Sequence, residues 1–475
     1  MIKLDSNILK KITLVFLAVT TILLYHNLGR DYLYDWDESI YAQLGVEQSV
    51  STFLTPTWNG QLWLEKPPLI AHLTALGQAV SSDRELGARL FIPVATLITL
   101  ISVYMIGTHL GGAVTGSVGA MILMYFDLFI GRSRSVNTDI FLLAGLTLTV
   151  ALVLKNAKPY LVALALALAI FAKGLAGILA IFIILPLVLN KSKKYLLLST
   201  FYLLLFTLPW HLYQLFVNGT DFYTPYLLEQ VIRRATVPIE FHMESRWFYF
   251  VHLYRDLGVG VLVASGLGLF ASLKKKNYLL AWWVLLPLAI FTIAKTRLSW
   301  YILPVYPAIA LSIGYIFEYL TSQLAKKSRW AVIILVSLFA LQSLLHLGKT
   351  TEVSRVNTTY PDHIKIALTL SDYLEPSIAF LVSQSERTAE AILPDSQRLS
   401  SSFRYGGAPS VVFYSGKKVA YYYNYDLFIK DLNEGVHELV VVTIGDIDKV
   451  PNNYTEIGVE GSYYAYQKDV SYAKR

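Results

Sequence analysis

Cysteine is absent from the 475 residues, which excludes disulfides and thiolate chemistry but does not identify a compartment. Charge is also scarce: 15% of the residues are Asp, Glu, Lys or Arg, against 55% hydrophobic. With a mean hydropathy of +0.49, this is not the profile of a soluble enzyme, and the apolar runs read as membrane spans. The charges that remain are clustered. A net charge of +7 would suit a nucleic-acid partner, but most basic clusters lie between apolar runs, where they act as topology signals, so no such partner is expected. No small-residue cleavage site follows the first run, from Ile12 to Leu28, so it is read as a retained span rather than a signal peptide. No internal repeat and no low-complexity tract is evident. What the chain has in abundance is aromatic residues: 32 tyrosines and 9 tryptophans, many near segment ends, fit an aromatic belt.

A helix needs about 20 apolar residues to cross a bilayer. Candidate spans run over 11–29, 87–108, 112–130, 137–154, 159–172, 174–190, 195–216, 253–272, 278–294, 299–318 and 329–346. The pair divided by Lys173 and Gly174 also reads as one long helix. The basic clusters favour two. Eleven spans with the N-terminus inside put Lys3, Lys10, Lys11, the 155–158 pair and the clusters near 191, 275 and 327 in the cytoplasm, as short loops prefer. The expected fold class is therefore a polytopic α-helical membrane protein of about eleven spans. Its membrane domain, 1–347, carries external loops at 30–86 and 217–252. Within the first, 67–80 is too short to cross and reads as an interfacial helix.

Residues 348–475 change character and form the second expected domain. Strand-length runs at 377–384, 410–416, 418–423 and 437–446 alternate with helix-like 361–374 and 426–434, which predicts a small α/β domain. An odd number of spans puts it outside.

Removing the cytoplasmic clusters leaves a second set of ionisable residues at the opposite ends of the spans. It comprises Asp37, Glu38, Glu65, Lys66, Arg132, Arg134, Asp139, Lys173, Glu229, Arg233, Arg234, Glu240, His242, Lys295 and Arg297. Charges at membrane depth are costly and need a functional or pairing reason. Separated cations facing one cavity neutralise a phosphate, and a carboxylate beside them suits a general base. A sugar carried on a polyprenyl phosphate fits such a site, with its lipid tail between helices. Duller readings stand beside this one. Asp37 suits an N-cap, Lys66 an interfacial lysine before Pro67-Pro68, Asp139 a cap or a partner for Arg134, and Lys173 a snorkelling lysine. A lipid flippase, a ligase of whole glycans and a non-catalytic assembly subunit are the competing functions; the flippase fits less well because no inverted repeat is visible.

The order of these motifs is similar to that of a known family. DWDESIYAQ (35–43), WLEKPPL (63–69), SRSVNTDIFL (133–142), FAKGLAGI (171–178), the stretch 208–236 ending at Arg234, FHMESRWFYF (241–250) and AKTRLSWYILPVYPAIAL (294–311) resemble its segments. The family is that of the membrane glycosyltransferases of the protein O-mannosyltransferase and lipid A aminoarabinose transferase type, with the GT-C fold. The resemblance implies that Asp37 is the catalytic base, with Glu38 and Asp139 as further carboxylates. It also implies that Lys66 and the loop arginine hold the donor phosphate outside the cell membrane, to which the charge reading adds Arg233 and Lys295. Tyr41, Glu65, Lys173, His242, Tyr249, Arg297 and Tyr301 are expected to support the site or bind the acceptor. No metal and no cofactor is expected, since lysine and arginine can neutralise a monophosphate. Two positions depart from the family pattern. Ile40 stands where aminoarabinose transferases have a basic residue, and Val231 where asparagine is frequent. Both point away from lipid A and leave the acceptor, like the sugar, open.

Overall fold

The computed structural model describes residues 6–239, 244–324, 329–353, 359–392 and 402–469. The chain divides into two units: 1–29, 64–70 and 89–356 form the first, and 30–63, 71–88 and 357–475 form the second.

The first unit is helical. Among the described residues, seven helical runs are long and apolar enough to cross a membrane: Asn7–Tyr25, Arg84–Leu110, Pro159–Val188, Lys193–Thr236, Phe248–Lys274, Ser299–Ser322 and Trp330–Glu352. Apolar helices Ala113–Leu123, Asp139–Leu154 and Leu279–Ile293 are shorter. The expected run 112–130 is interrupted because Phe126 is extended, and a separate short helix, Asp127–Arg132, follows it. The outward surface is apolar, with Ile22, Leu197, Phe216 and Leu285 more than half exposed, as lipid contact requires.

Inside, small residues let helices touch. A Cβ on Gly107 would lie 2.6 Å from the Cα of Gly116. Hydroxyls then pair across helices, Thr13 with Ser117 at 2.8 Å and Ser265 with Ser312 at 2.7 Å, which satisfies groups that lipid cannot. The run 159–188 is not one straight helix. It breaks at Gly174, whose φ of +58° is open to glycine at little cost. Gly177 then returns so close that its Cβ would lie 2.5 Å from the Ile170 nitrogen. In a continuous helix seven residues span about 10 Å, so the chain reverses here. The segment expected as an external loop from 217 is largely helical as well, since the run from Lys193 continues to Thr236 with a kink at Gly219.

The second unit is built on a five-stranded sheet in the order Lys418–Tyr422, Ser377–Leu381, Leu439–Thr443, Tyr463–Lys468, Tyr454–Glu460; the first three strands are parallel, and Tyr463–Lys468 runs antiparallel to both of its neighbours. Alternation places Ala379, Leu381, Tyr422, Val440 and Val442 on one face, closed by Phe428 and Leu432 of the helix Tyr425–Asn433. The strand expected over 410–416 is instead a helix, Ser410–Ser415, ended by Gly416 in the left-handed conformation. Asn59 covers the edge strand: its side-chain amide donates to Val419 O at 2.7 Å and accepts from Val419 N at 2.9 Å.

His437 lies buried under this sheet, bonded to Ser377 and Tyr422 at 3.0 Å each. Burial pushes its imidazole below the ordinary value, against the opposing charge of Asp431. The unfolded chain therefore binds the proton more readily, and the stability conferred by the neutral ring is lost as pH falls through the ordinary histidine range. Acidifying from about pH 7.5 to about pH 5.5 is expected to lower the thermal unfolding midpoint, with a shallower fall in His437→Gln. Parallel slopes for the two proteins would refute this assignment.

Candidate active site

The carboxylate of Asp139 opens the helix Asp139–Leu154, and the ammonium of Lys173 closes the helix Pro159–Lys173. Each sits at the helix pole that favours its charge. They form an ion pair with each other, at side-chain exposures of 6% and 15%. Arg134 is not Asp139's ion-pair partner; one of its guanidinium nitrogens donates to the carbonyls of Leu23, Leu24 and His26.

Around this pair the first unit gathers further cations. Lys66 and Arg132 lie near enough to act on the charge of Lys173. The Lys173 ammonium lies 5.0 Å from the Tyr301 ring centroid, and Arg132 lies 4.1 Å over Trp300. Arg234 donates to the Tyr301 hydroxyl at 3.3 Å. Tyr301 thus stands between two cations from distant parts of the sequence. Arg233 turns to Glu229 at 3.7 Å. Lys295 is brought alongside by the backbone, with its N–H on Ala235 O at 3.1 Å and that of Thr296 on Arg234 O at 3.0 Å. Arg297 is engaged elsewhere, since its terminal nitrogens donate to the carbonyls of Glu244 and Thr292 and so fasten the preceding loop. Tyr249 is buried near Tyr301 and Arg297. His242 lies outside the described residues.

Two features were not visible in the sequence. Residues Thr224–Arg233 form a widened π-helical turn, a form frequent at functional sites. From it Gln230 donates to Glu65 at 3.1 Å, and Tyr226 meets His211 at 2.7 Å and lies 3.1 Å from where a Cβ on Gly174 would be. Leu64, Trp210, Phe222 and Tyr226 form one apolar cluster beside it, so Leu64 of WLEKPPL is anchored next to the charged residues that follow it.

Asp37, Glu38 and Tyr41 belong to the second unit. The helix Asp37–Val46 starts at Asp37 with Trp36 in the cap position, so Asp37 lies in the first turn rather than capping it. Glu38 is 3% exposed and accepts from Tyr34 N at 3.2 Å. Tyr41 is buried edge-on to Trp63, and its carbonyl accepts from Thr74 at 3.0 Å. Of the two adjacent carboxylates, Asp37 is the more open. Among the described residues no three His, Asp or Glu side chains come together as a metal-ligand set.

In overall structure the chain is similar to ArnT from Cupriavidus metallidurans bound to undecaprenyl phosphate. The TM-score is 0.73 at 16% identity, over 96% of this chain and 98% of that one. The fold is that of the GT-C membrane glycosyltransferases. Residues 65–211 match the dolichyl-phosphate-mannose-protein mannosyltransferase family. An uncharacterised protein of Aquifex aeolicus (strain VF5) is 30% identical over 70% of this chain and 69% of its own length. An undecaprenyl phosphate-alpha-4-amino-4-deoxy-L-arabinose arabinosyl transferase of Pseudomonas fluorescens (strain Pf0-1) is 26% identical over 68% of this chain. The match covers 62% of that relative's length, under two thirds. The chain belongs to the ArnT-like and protein mannosyltransferase family of membrane glycosyltransferases.

Proposed function

We propose that this chain transfers a sugar from a polyprenyl-phosphate donor to a hydroxyl acceptor on the extracytoplasmic face of the cell membrane, with inversion at the anomeric carbon. The gathering of Lys173 and Arg234 on Tyr301, with Lys66 and Arg132 near Lys173, carries the reading, because clustered cations of this kind suit a phosphate. A relative's name and a structural neighbour's bound lipid both specify undecaprenyl phosphate, which supports that donor. Asp37 takes the proton of the acceptor hydroxyl. The acceptor oxygen bonds to the anomeric carbon as the bond from that carbon to the phosphate oxygen breaks. The lipid phosphate leaves with the electron pair, its charge met by Lys66, Arg234 and Lys295. One displacement inverts the carbon. Ile40 and Val231 weigh against lipid A as acceptor.

For topology, we read Asp139–Leu154 and Leu279–Ile293 as crossing, Ala113–Leu123 as crossing together with the short helix Asp127–Arg132 that follows it, and the reversal at Gly174 as dividing 159–188 into two crossings. Together with the other six runs this gives eleven, with the N-terminus cytoplasmic and 357–475 outside.

Purified protein with radiolabelled undecaprenyl-phosphate sugars tests the reading; lipid movement without bond cleavage would make it a flippase instead. Removing one charge-assisted contact to the phosphate costs about 1.5–3 kcal/mol, so Arg234→Ala is expected to weaken undecaprenyl-phosphate binding by about 10- to 150-fold. Binding unchanged in that variant would remove Arg234 from the phosphate site.

A further inference from the structure

Asp35, two residues before Asp37, has no place in the chemistry above, yet both of its carboxylate oxygens are engaged. Oδ2 meets Nε2 of His363 at 2.7 Å, and Oδ1 accepts from the Ser410 backbone N–H at 3.0 Å. The pair is largely enclosed, at side-chain exposures of 22% for Asp35 and 17% for His363. Around it stand Glu386, Tyr421 and Tyr463, all close enough to Asp35 to feel its charge.

The residue between Asp35 and Asp37 is strained. Trp36 has φ +68° and ψ −119°, a region that a bulky side chain rarely adopts. Such a conformation costs on the order of 1–3 kcal/mol and persists only where the surroundings enforce it. On the C-terminal side the enforcement is plain. Glu38 to Gly45 are buried, Glu38 accepts from Tyr34 N, and Ile40 N–H bonds back to Trp36 O at 3.0 Å. On the N-terminal side Leu33 N–H donates to the Tyr414 hydroxyl at 2.8 Å and Tyr34 O accepts from Ser39 N–H at 3.2 Å, and between them and Trp36 stands the clamp on Asp35, with the Trp36 ring edge-on to Tyr405 at 6.1 Å. Release of Asp35 would let Trp36 relax toward ordinary backbone angles and rotate the first turn of the helix, which carries the Asp37 carboxylate.

We infer that His363 is a positioning residue for Asp37: its bond to Asp35 holds Trp36 in its strained positive-φ conformation and so aims the Asp37 carboxylate. The inference rests on the reading of Asp37 as general base. A misplacement near 1 Å at a reacting group can cost about 100-fold, so a partial release is expected to cost about 10- to 50-fold in kcat.

The test uses the full-length protein in detergent. His363→Leu is expected to lower kcat by about 10- to 50-fold while donor KM stays within about twofold. The number of undecaprenyl-phosphate sites per protein is expected to stay that of the wild type, since the cations proposed to hold the phosphate are untouched. His363→Gln, which keeps an N–H at similar reach, is expected to recover most of the rate. Asp35→Asn, should His363→Leu not fold, is expected to show the same split between kcat and KM. Wild-type kcat in His363→Leu overturns the inference. So does a fall in kcat matched by a fall in lipid-binding sites, or a failure of His363→Gln to recover the rate, since either marks a merely structural role. Asp37→Asn run in parallel separates the two readings: transfer retained there refutes Asp37 as base, whereas transfer lost there with His363→Leu unimpaired refutes the positioning alone.

Discussion

Asp37→Asn is expected to lower kcat by about 100- to 10,000-fold, the range a general base supplies, with the protein still folded and still binding undecaprenyl phosphate. Asparagine keeps the size of the side chain and suits the first turn of a helix, so the change isolates the proton acceptor. Glu38 is poorly placed to take over, because it is buried with its carboxylate on the Tyr34 amide. Glu38→Gln should therefore lower stability more than it lowers the rate. Radiolabelled transfer from undecaprenyl-phosphate sugar measures the first effect, and thermal unfolding in detergent the second. Transfer in Asp37→Asn within tenfold of the wild type would remove Asp37 from its role.

The second large effect concerns the Asp139–Lys173 pair. Removing one partner of a buried ion pair leaves the other charge uncompensated, at a cost of about 3–5 kcal/mol. Asp139→Leu should thus destabilise the protein strongly. Asp139→Leu with Lys173→Met replaces both charges by apolar groups and should restore most of that loss, since a buried pair is often no more stabilising than a packed apolar substitute. Activity should not follow stability. The double variant lacks the charged pair beside the proposed phosphate-binding cations, so its transfer rate is expected to stay low. Recovery of both together would make the pair a purely structural element.

How far the sequence displayed these features depended on the range of the interactions that made them. Apolar runs and basic loops are local signals, and most helices fall where they indicated. The segment SVVFYSG was misleading because Val-Val-Phe-Tyr closed by glycine fits a strand, whereas its burial on all sides fits a helix equally well. The strand pair 454–460 and 463–468 gave no clear signal because the polar Thr455, Glu456 and Glu460 broke up any apolar run. In the site, the charges at span ends were legible because lipid makes them conspicuous. Their pairings were not. Arg134 is a natural neighbour for Asp139 in sequence, but the helix ends bring Lys173 from 34 residues away. Gln230 gave no signal because an amide facing a carboxylate looks like any other polar residue on a helix.

The contacts of Asp35 also set an order of assembly. Asp35 emerges from the ribosome early, and its partners at 363 and 410 follow 328 and 375 residues later. At about 5–20 residues per second, that interval is tens of seconds. During it the membrane helices are themselves being made, and after the last of them is complete the acidic motif still lacks its clamp. Completion of the last hundred residues, rather than insertion of the spans, is then the event that arms the motif, and a truncated chain would be inserted but idle.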